Sequence, residues 1–307
     1  MTFPMDTNSD QQAHPEITVS IIIPNLHSPI IDRTIESILA QETRHAYEII
    51  VVGMDKYGLV EKFPQVQFIK TPHPVGAGEA RNIGIGKARG ERLVFIDADC
   101  LAMPGWLDTL ITDFDEGWHV IGGGVKSPAD NFWLLVYNLS MFHEQLWTQK
   151  RKTHAYLPTL NLAVGREVIE QVGNLNEALM RGQDIEWTSR MTKAGYPLLF
   201  EPAAVIEHHP PRTDFEALRK DNYRSGYYMI QVRLENPEVF HMPPILGHAW
   251  GWRLFKTLIA GMTSLKIVLR TKEVRQYPKI IPYIYRLKKA WCEGAADRLE
   301  EIKNDVL

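Results

Sequence analysis

Short β-branched runs alternate with helical stretches across residues 17–100, and this alternation narrows the fold more than any other feature. ITVSIIIP (Ile17–Pro24) is an apolar run stopped by proline, and YEIIVVG (Tyr47–Gly53) and VQFIKT (Val66–Thr71) repeat the form. Between them, DRTIESILAQ (Asp32–Gln41) carries Ile35, Ile38 and Leu39 at helical spacing behind a capping Asp32. GEARNIGIGKARG (Gly78–Gly90) reads as a helix closed by Gly90. Strands that alternate with helices build an open, mostly parallel sheet with helices on both faces, so the expected class is α/β. Ligands of such sheets bind beyond the carboxyl ends of the strands.

The next run, RLVFIDADC (Arg92–Cys100), is a buried strand that ends in two carboxylates one residue apart. Side chains two apart on a strand point the same way, which puts Asp97 and Asp99 together at the ligand edge. Paired carboxylates repel unless a cation joins them, and oxygen-only ligands suit Mg2+ or Mn2+. As an isolated Asp-x-Asp the pair also fits a turn in which Asp97 caps a backbone group.

The second half is less regular. GGGV (Gly122–Val125) reads as a strand edge, and NFWLLVYNLSMFHEQLW (Asn131–Trp147) as a long apolar helix. TLNLAVGREVIEQVG (Thr159–Gly173) is a strand and then a helix, and GQDIEWTSRMTKAG (Gly182–Gly195) a further helix. PLLFEPAAVIEHHPP (Pro197–Pro211) reads as two short strands, and from Asp214 the pattern is helical with proline breaks.

Composition excludes several classes. The net charge of −3 over 307 residues gives no pull toward nucleic acid. Cys100 and Cys292 form neither a metal pattern nor a disulfide framework, which fits a reducing compartment and a cytoplasmic location. Residues 1–16 lack the basic and apolar regions of a signal peptide and read as a disordered leader. With no run of about 18 apolar residues, no transmembrane helix is expected.

Taken in order, SIIIPN, YEIIVV, GEARNIG, VFIDAD, NLAVGREVIEQVGNLNEAL, GQDIEWTSRMTKAG and VIEHH resemble the family 2 glycosyltransferases of GT-A fold, over roughly Val19 to His209. The resemblance implies a GT-A catalytic domain at 17–212, with a nucleotide-sugar half (17–125) and an acceptor half (126–212), followed by a helical extension at 213–307. It implies inverting transfer of a sugar from a UDP- or GDP-sugar to a glycan or lipid-linked acceptor, with Mn2+ or Mg2+ as cofactor. By the same resemblance Asp99 binds the metal most directly, Asp97 contacts ribose or a metal-bound water, and His208 completes the metal or diphosphate site. Asp184 becomes the base for the acceptor hydroxyl, although an aspartate in a first helical turn also suits the helix dipole. The nucleotide sugar is expected against Pro24, Asn25, Asp55, Arg81, Asn82, Asp97, Ala98 and Asp99, and the acceptor against Asn161 and Trp187. For Arg81 the alternative is a surface arginine, and for His208 a turn residue.

The chain departs from the family where VVDDGS is common: here the sequence reads VVGMDK, with Gly53 and Met54 in place of both aspartates. Asp55 is the expected substitute. The departure also leaves open a non-catalytic nucleotide-sugar-binding homologue that serves as a partner subunit. Between Arg253 and Lys289 stand ten Lys or Arg residues and one acid, Glu273, interleaved with aromatic and aliphatic residues. That pattern fits peripheral contact with the cytoplasmic face of a membrane, or a helical annex with a solvated basic face.

Overall fold

The computed structural model describes residues 17–128, 131–212 and 214–305, so the leader expected at 1–16 lies outside the described residues. The chain begins β1 (Val19–Leu26), α1 (Ile31–Leu39), β2 (Tyr47–Met54), β3 (Gln67–Lys70), α2 (Ala77–Ile85), β4 (Arg92–Ile96), β5 (Cys100–Ala102) and α3 (Trp106–Asp115). It continues with β6 (Val120–Lys126), α4 (Phe132–Phe142), β7 (Lys152–His154), β8 (Asn161–Gly165), α5 (Arg166–Val172), α6 (Gln183–Lys193) and β9 (Leu198–His208). The remainder is helical: α7 (Phe215–Glu235), α8 (Pro237–Phe240), α9 (Ala249–Arg270), α10 (Lys272–Gln276) and α11 (Ile281–Asp305).

The nine strands of the described residues join one sheet, ordered β3-β2-β1-β4-β8-β6-β9-β5, with β7 also on β9. The first four strands in space are parallel, and β8 runs antiparallel between β4 and β6. Ile21, Ile23, Val51, Val94 and Ile96 pack one face under α1 and α3, while Ile22, Leu93, Phe95 and Trp187 fill the other.

Three strand expectations change. β6 is interior, between β8 and β9, because its glycines let Leu157, Ala204 and Trp147 approach. Residues 198–208 form one strand, not two; the irregularity between Gly123 and Gly124 absorbs the misfit around Pro202. β4 ends at Ile96, so Asp97 and Asp99 stand in a turn between β4 and β5 and are not successive same-side strand residues.

The C-terminal helices form a layer of their own. Cβ atoms added at Gly226 and Gly294 would lie 1.9 Å from the Trp291 carbonyl oxygen and 2.0 Å from that of Tyr223, so α7 and α11 cross with backbones in contact. Helix α4 sides with this layer through Val136 and Leu139, packed with Leu218, Ile284 and Leu287. Most of the basic charge on α9 is paired within the layer or to α4's end: Arg253 with Asp297 and Glu300, Lys256 with Glu293, Lys266 with Glu144. Beside these cations α9 turns a continuous apolar stripe to solvent. Trp250, Leu254, Leu258, Met262, Leu265 and Leu269 recur at helical spacing, each more than half exposed.

Candidate active site

The carboxyl ends of β1 and β4, the N-terminus of α6 and the inner faces of α7 and α11 surround two adjoining cavities of about 530 and 510 Å3. Ala77, Arg81, Asp97, Asp99, Arg181 and Arg212 line both, so the Asp97–Asp99 turn sits at their junction.

Strand pairing delivers the first constellation. Antiparallel pairing of β5 with β9 sets Cys100 opposite His208, and the His209 N–H donates to the Asp99 carbonyl at 2.8 Å. The His208 Nε2 then lies 3.7 Å from Asp99 Oδ1. Helix α4 fixes the ring. Asn138 Nδ2 donates to the His208 carbonyl at 3.2 Å, which turns Asn138 Oδ1 toward His208 Nδ1 at 2.7 Å. Nδ1 therefore carries the proton, and Nε2 presents its lone pair to Asp99. Burial pushes the imidazole down to about 4, so it is neutral at physiological pH. A lone pair facing a carboxylate oxygen calls for a cation between them, and 3.7 Å is within reach of two bonds of about 2.1 Å to one hard ion. Cys100 shares this cluster, and burial, then Asp99 and Asp97, push its thiol well up. Asp99 and His208 thus fit a divalent ion.

Asp97 has a different partner. Arg81 is buried on α2 and donates to Asp97 Oδ1 at 2.5 Å, so it is not a surface arginine. Burial raises both Asp97 and Asp99 above the usual carboxylate range; Arg81 opposes it at Asp97, and Arg212 at Asp99.

Asp184 faces the same cavity from the first turn of α6. Gly182 before it has φ +81°, and a Cβ there would lie 2.6 Å from Met229 Sδ on α7, so the tight entry to the helix is reserved for glycine. Asp184 Oδ1 accepts from the neighbouring Ile185 N–H at 2.9 Å. Burial raises its carboxyl, with Arg81 opposing. Glu186 is turned away, into an ion pair with Arg190.

Of the expected donor contacts, Pro24, Asn25, Ala98, Arg81 and both aspartates line the second cavity. Asp55 does not: its two oxygens accept from the Tyr57 and Val60 N–H groups and hold the turn after β2. Asn82 does not either, because its amide bonds Leu175 and Glu177 and ties α2 to the loop after α5. Gly53 has a steric reason. A Cβ at this φ +130° position would come 2.1 Å from the Asn25 carbonyl oxygen across the β1–β2 pairing, so no aspartate fits there.

Neither expected acceptor contact is available to a ligand. Trp187 is wholly buried against Phe95 and donates to the Gly173 carbonyl, and buried Asn161 bonds Trp106, Gly124 and Ala204. Sequence reasoning missed Arg181, Arg212, Arg233 and Lys288, all on the cavity wall. Arg181 precedes GQDIEW and Arg212 follows HHPP, so adjacency to those motifs was an available signal. For the two helical cations there was none.

The comparisons bear on this geometry. The model of the glycosyl transferase family 2 matches residues 20–173, half of the chain. Glycosyltransferase AglE of Haloferax volcanii is 28% identical over 225 residues, 70% of this chain and 73% of that protein. Among solved structures, the mannosyltransferase PcManGT of Pyrobaculum calidifontis, in complex with GDP-Man and Mn2+, superposes with a TM-score of 0.57 at 17% identity, over 93% of this chain and 89% of that one. GalNAc-T7 with UDP, GalNAc and Mn2+ gives a TM-score of 0.53 at 18% identity, over 75% of this chain and 52% of that one. At such identities the two structures establish a shared fold.

Proposed function

The chain belongs to glycosyl transferase family 2, enzymes that move a sugar from a nucleotide-sugar donor, and on that premise we propose inverting transfer with Asp184 as the base. The observation that carries the reading is that Asp99, His208 and Asp184, distant in sequence, meet on one cavity wall. The donor, a UDP- or GDP-sugar, occupies the cavity beside Pro24, Asn25 and Ala98, with its diphosphate toward Arg81, Arg181 and Arg212. With Asp55 committed to its turn, the base is held by Pro24, Leu26, His27, Met54 and Val75, without a carboxylate. Asp99 and His208 hold Mn2+ or Mg2+, which when bound offsets the negative charge that develops on the departing diphosphate.

The chain's own groups divide the remaining work. Asp97 fixes Arg81 at the junction of the two cavities. Asp184 accepts the proton of the acceptor hydroxyl as that oxygen attacks the anomeric carbon. Its raised carboxyl suits a proton acceptor closer to neutrality than a free aspartate. Because Gly53 is explained by its contact with Asn25, its presence does not favour a non-catalytic homologue.

No helix among the described residues is long and apolar enough to cross a membrane. Contact with a membrane surface is instead assigned in this reading to the exposed stripe of α9. The test of the transfer itself is incubation with a panel of UDP- and GDP-sugars and Mn2+. Release of nucleoside diphosphate that requires both metal and Asp184 supports the reading. Tight donor binding without turnover, whatever acceptor is offered, would transfer it to the partner-subunit class.

A further inference from the structure

The cavity that holds Asp184 extends to a wall built by α7 and α11, and there its electrostatics reverse. Five cationic side chains line it. Arg81 is paired with Asp97, and Arg181 and Arg212 share Asp221. Arg233 and Lys288 have no carboxylate partner among the described residues. Lys288 donates to the Ser140 carbonyl and has two N–H groups left. Arg233 is stacked, its guanidinium 4.6 Å from the Trp291 ring and 5.4 Å from that of Phe240. Stacking occupies the faces of a guanidinium and leaves its in-plane donors free. Arg233 makes no side-chain hydrogen bond among the described residues, and its Nε is buried without a partner. The two cations also sense each other, since Arg233 is the main charge that pulls Lys288 down, after burial itself.

An enclosed pair of like charges is costly unless an anion joins it. Among the described residues eight buried side-chain polar atoms lack a partner, and four of them, on Arg81, His143, Gln183 and Arg233, belong to residues that line this one cavity. The His143 ring is held neutral, pushed down to about 3 by burial and then by Lys288, so it adds no competing charge.

Building on the transferase reading, we propose that Arg233 and Lys288 form an anion subsite that receives a phosphate group carried by the acceptor. Two positive charges match a phosphate dianion; a carboxylate would leave one uncompensated. The subsite lies outside residues 20–173, where the family model matches, so it belongs to this chain's helical layer. Its place in the cavity shared with Asp184 lets the phosphate anchor the acceptor while a hydroxyl elsewhere on it faces the base.

The test uses the full chain with UDP or GDP and Mn2+ at saturation, so that the donor cavity is filled. Inorganic phosphate, acetate and chloride are then compared at equal ionic strength by thermal shift. Phosphate is expected to give a saturable rise in Tm that acetate and chloride do not match. Arg233→Met and Lys288→Met should each weaken it at least tenfold, while Arg233→Lys keeps most of it. Octyl phosphate and glucose 1-phosphate identify the source. Tighter binding of octyl phosphate supports a lipid-borne phosphate, and equal binding supports recognition of the phosphate alone. Should the methionine variants not fold, protection of Lys288 in the wild-type chain from acetic anhydride labelling by phosphate serves instead. Equal responses to the three anions, or phosphate binding unchanged in Arg233→Met, or no protection of Lys288, would overturn the subsite. Nucleoside diphosphate binding is read separately, so failure of the subsite is distinct from failure of the transferase reading.

Discussion

The two ends of the main cavity are unbalanced in opposite senses. At the sheet end, Asp97, Asp99 and Asp184 converge, and the neutral His208 adds a lone pair. At the helical end, Arg233 and Lys288 stand without an ion-pair partner among the described residues, and Glu144 on the same cavity lining is paired with Lys266. At the sheet end Arg81 answers Asp97 and leaves Asp99 and His208 to share a cation, whereas the helical end has two cations with no such partner among the described residues. Each deficit describes a ligand: a divalent ion with its diphosphate on one side, a phosphate-bearing acceptor on the other. The sheet end comes from strands whose pairing fixes the residues to each other, as Cys100 is fixed opposite His208. The helical end comes from two helices in backbone contact at Gly226 and Gly294, a joint that is rigid in a different way.

The largest effect should come from the sheet end. Asp184→Asn keeps the size of the side chain and removes its basicity, so kcat should fall by about 10²–10⁴-fold, the range for general-base catalysis. Donor affinity should stay near wild type, which steady-state kinetics and donor titration can separate. Transfer within a few fold of wild type would leave Asp184 as a helix-terminal carboxylate only. Next, Asp99→Ala should lower metal-supported transfer by roughly 10²–10³-fold, the scale of losing one electrostatic stabiliser of a developing anion. The melting temperature should hold or rise slightly, since a crowded carboxylate that burial disfavours is removed. Retention of metal-stimulated activity would break the assignment of the cation deficit to this turn.

The same contrast explains what could be read from the sequence. β-branched runs and alternation with helices announced the parallel half of the sheet, because those local patterns and the tertiary arrangement agree. The Asp97–Asp99 pair was legible from its residue types, but by the wrong geometry: it is a turn in which Arg81 and His208 take one aspartate each. Trp187 and Asn161 misled because an aromatic and an amide near a motif look like ligand contacts. Only the packing shows Trp187 to be the partner of Phe95, and Asn161 to be the link between Trp106, Gly124 and Ala204. The helical end was illegible for a related reason. Arg253 and Arg233 are both arginines in amphipathic helices, yet one meets Asp297 and Glu300, more than forty positions away, and the other meets aromatic rings. Helical periodicity gives a face, not the neighbour on that face.

A smaller effect, of about tenfold, should sharpen the contrast through pH. Lys288 is pushed down to about 8 by burial and then by Arg233; Cys292 and Glu144 oppose this, and Lys266 adds a smaller lowering. His143 beside it stays neutral across this range, and burial pushes the Cys292 thiol up to about 11, above it. Phosphate binding should therefore weaken as pH rises through about 8, where the empty subsite loses one of its charges. Stability should move the other way. Between about 8 and the ordinary lysine value of 10.5 the unfolded chain binds more protons than the folded one, so folding gains as pH rises through that window. Denaturant titrations with and without phosphate measure both trends. A phosphate affinity that is flat between pH 7 and 9 would remove Lys288 from the subsite.

The smallest effect concerns the outer face of the helical layer. The sequence offered ten positive charges as the reason for membrane contact, but Arg253, Lys256 and Lys266 are in ion pairs, and Lys288 is turned into the cavity. Arg270 lies 4.0 Å from Glu144. The exposed apolar stripe from Trp250 to Leu269 replaces charge as the driving feature and runs roughly 28 Å along α9 at 1.5 Å per residue. Lys272, Arg275 and Lys279 are exposed just beyond its C-terminal end and have no ion-pair partner among the described residues, so anionic lipid should add to the binding without dominating it. Vesicle co-sedimentation should then show binding to neutral and anionic vesicles alike, somewhat stronger for the anionic and only mildly weakened by salt, which screens charges over about 10 Å at 0.1 M. Leu258→Glu with Leu265→Glu should reduce it several-fold, since each leucine withdrawn from water contributes about 1.5–3 kcal/mol when fully covered and less at an interface. Transfer to a water-soluble acceptor should be unchanged, because both residues face away from the cavity wall. Binding confined to anionic vesicles and abolished by salt would return the contact to the basic residues, and no binding to either vesicle would leave the stripe without a role at a membrane.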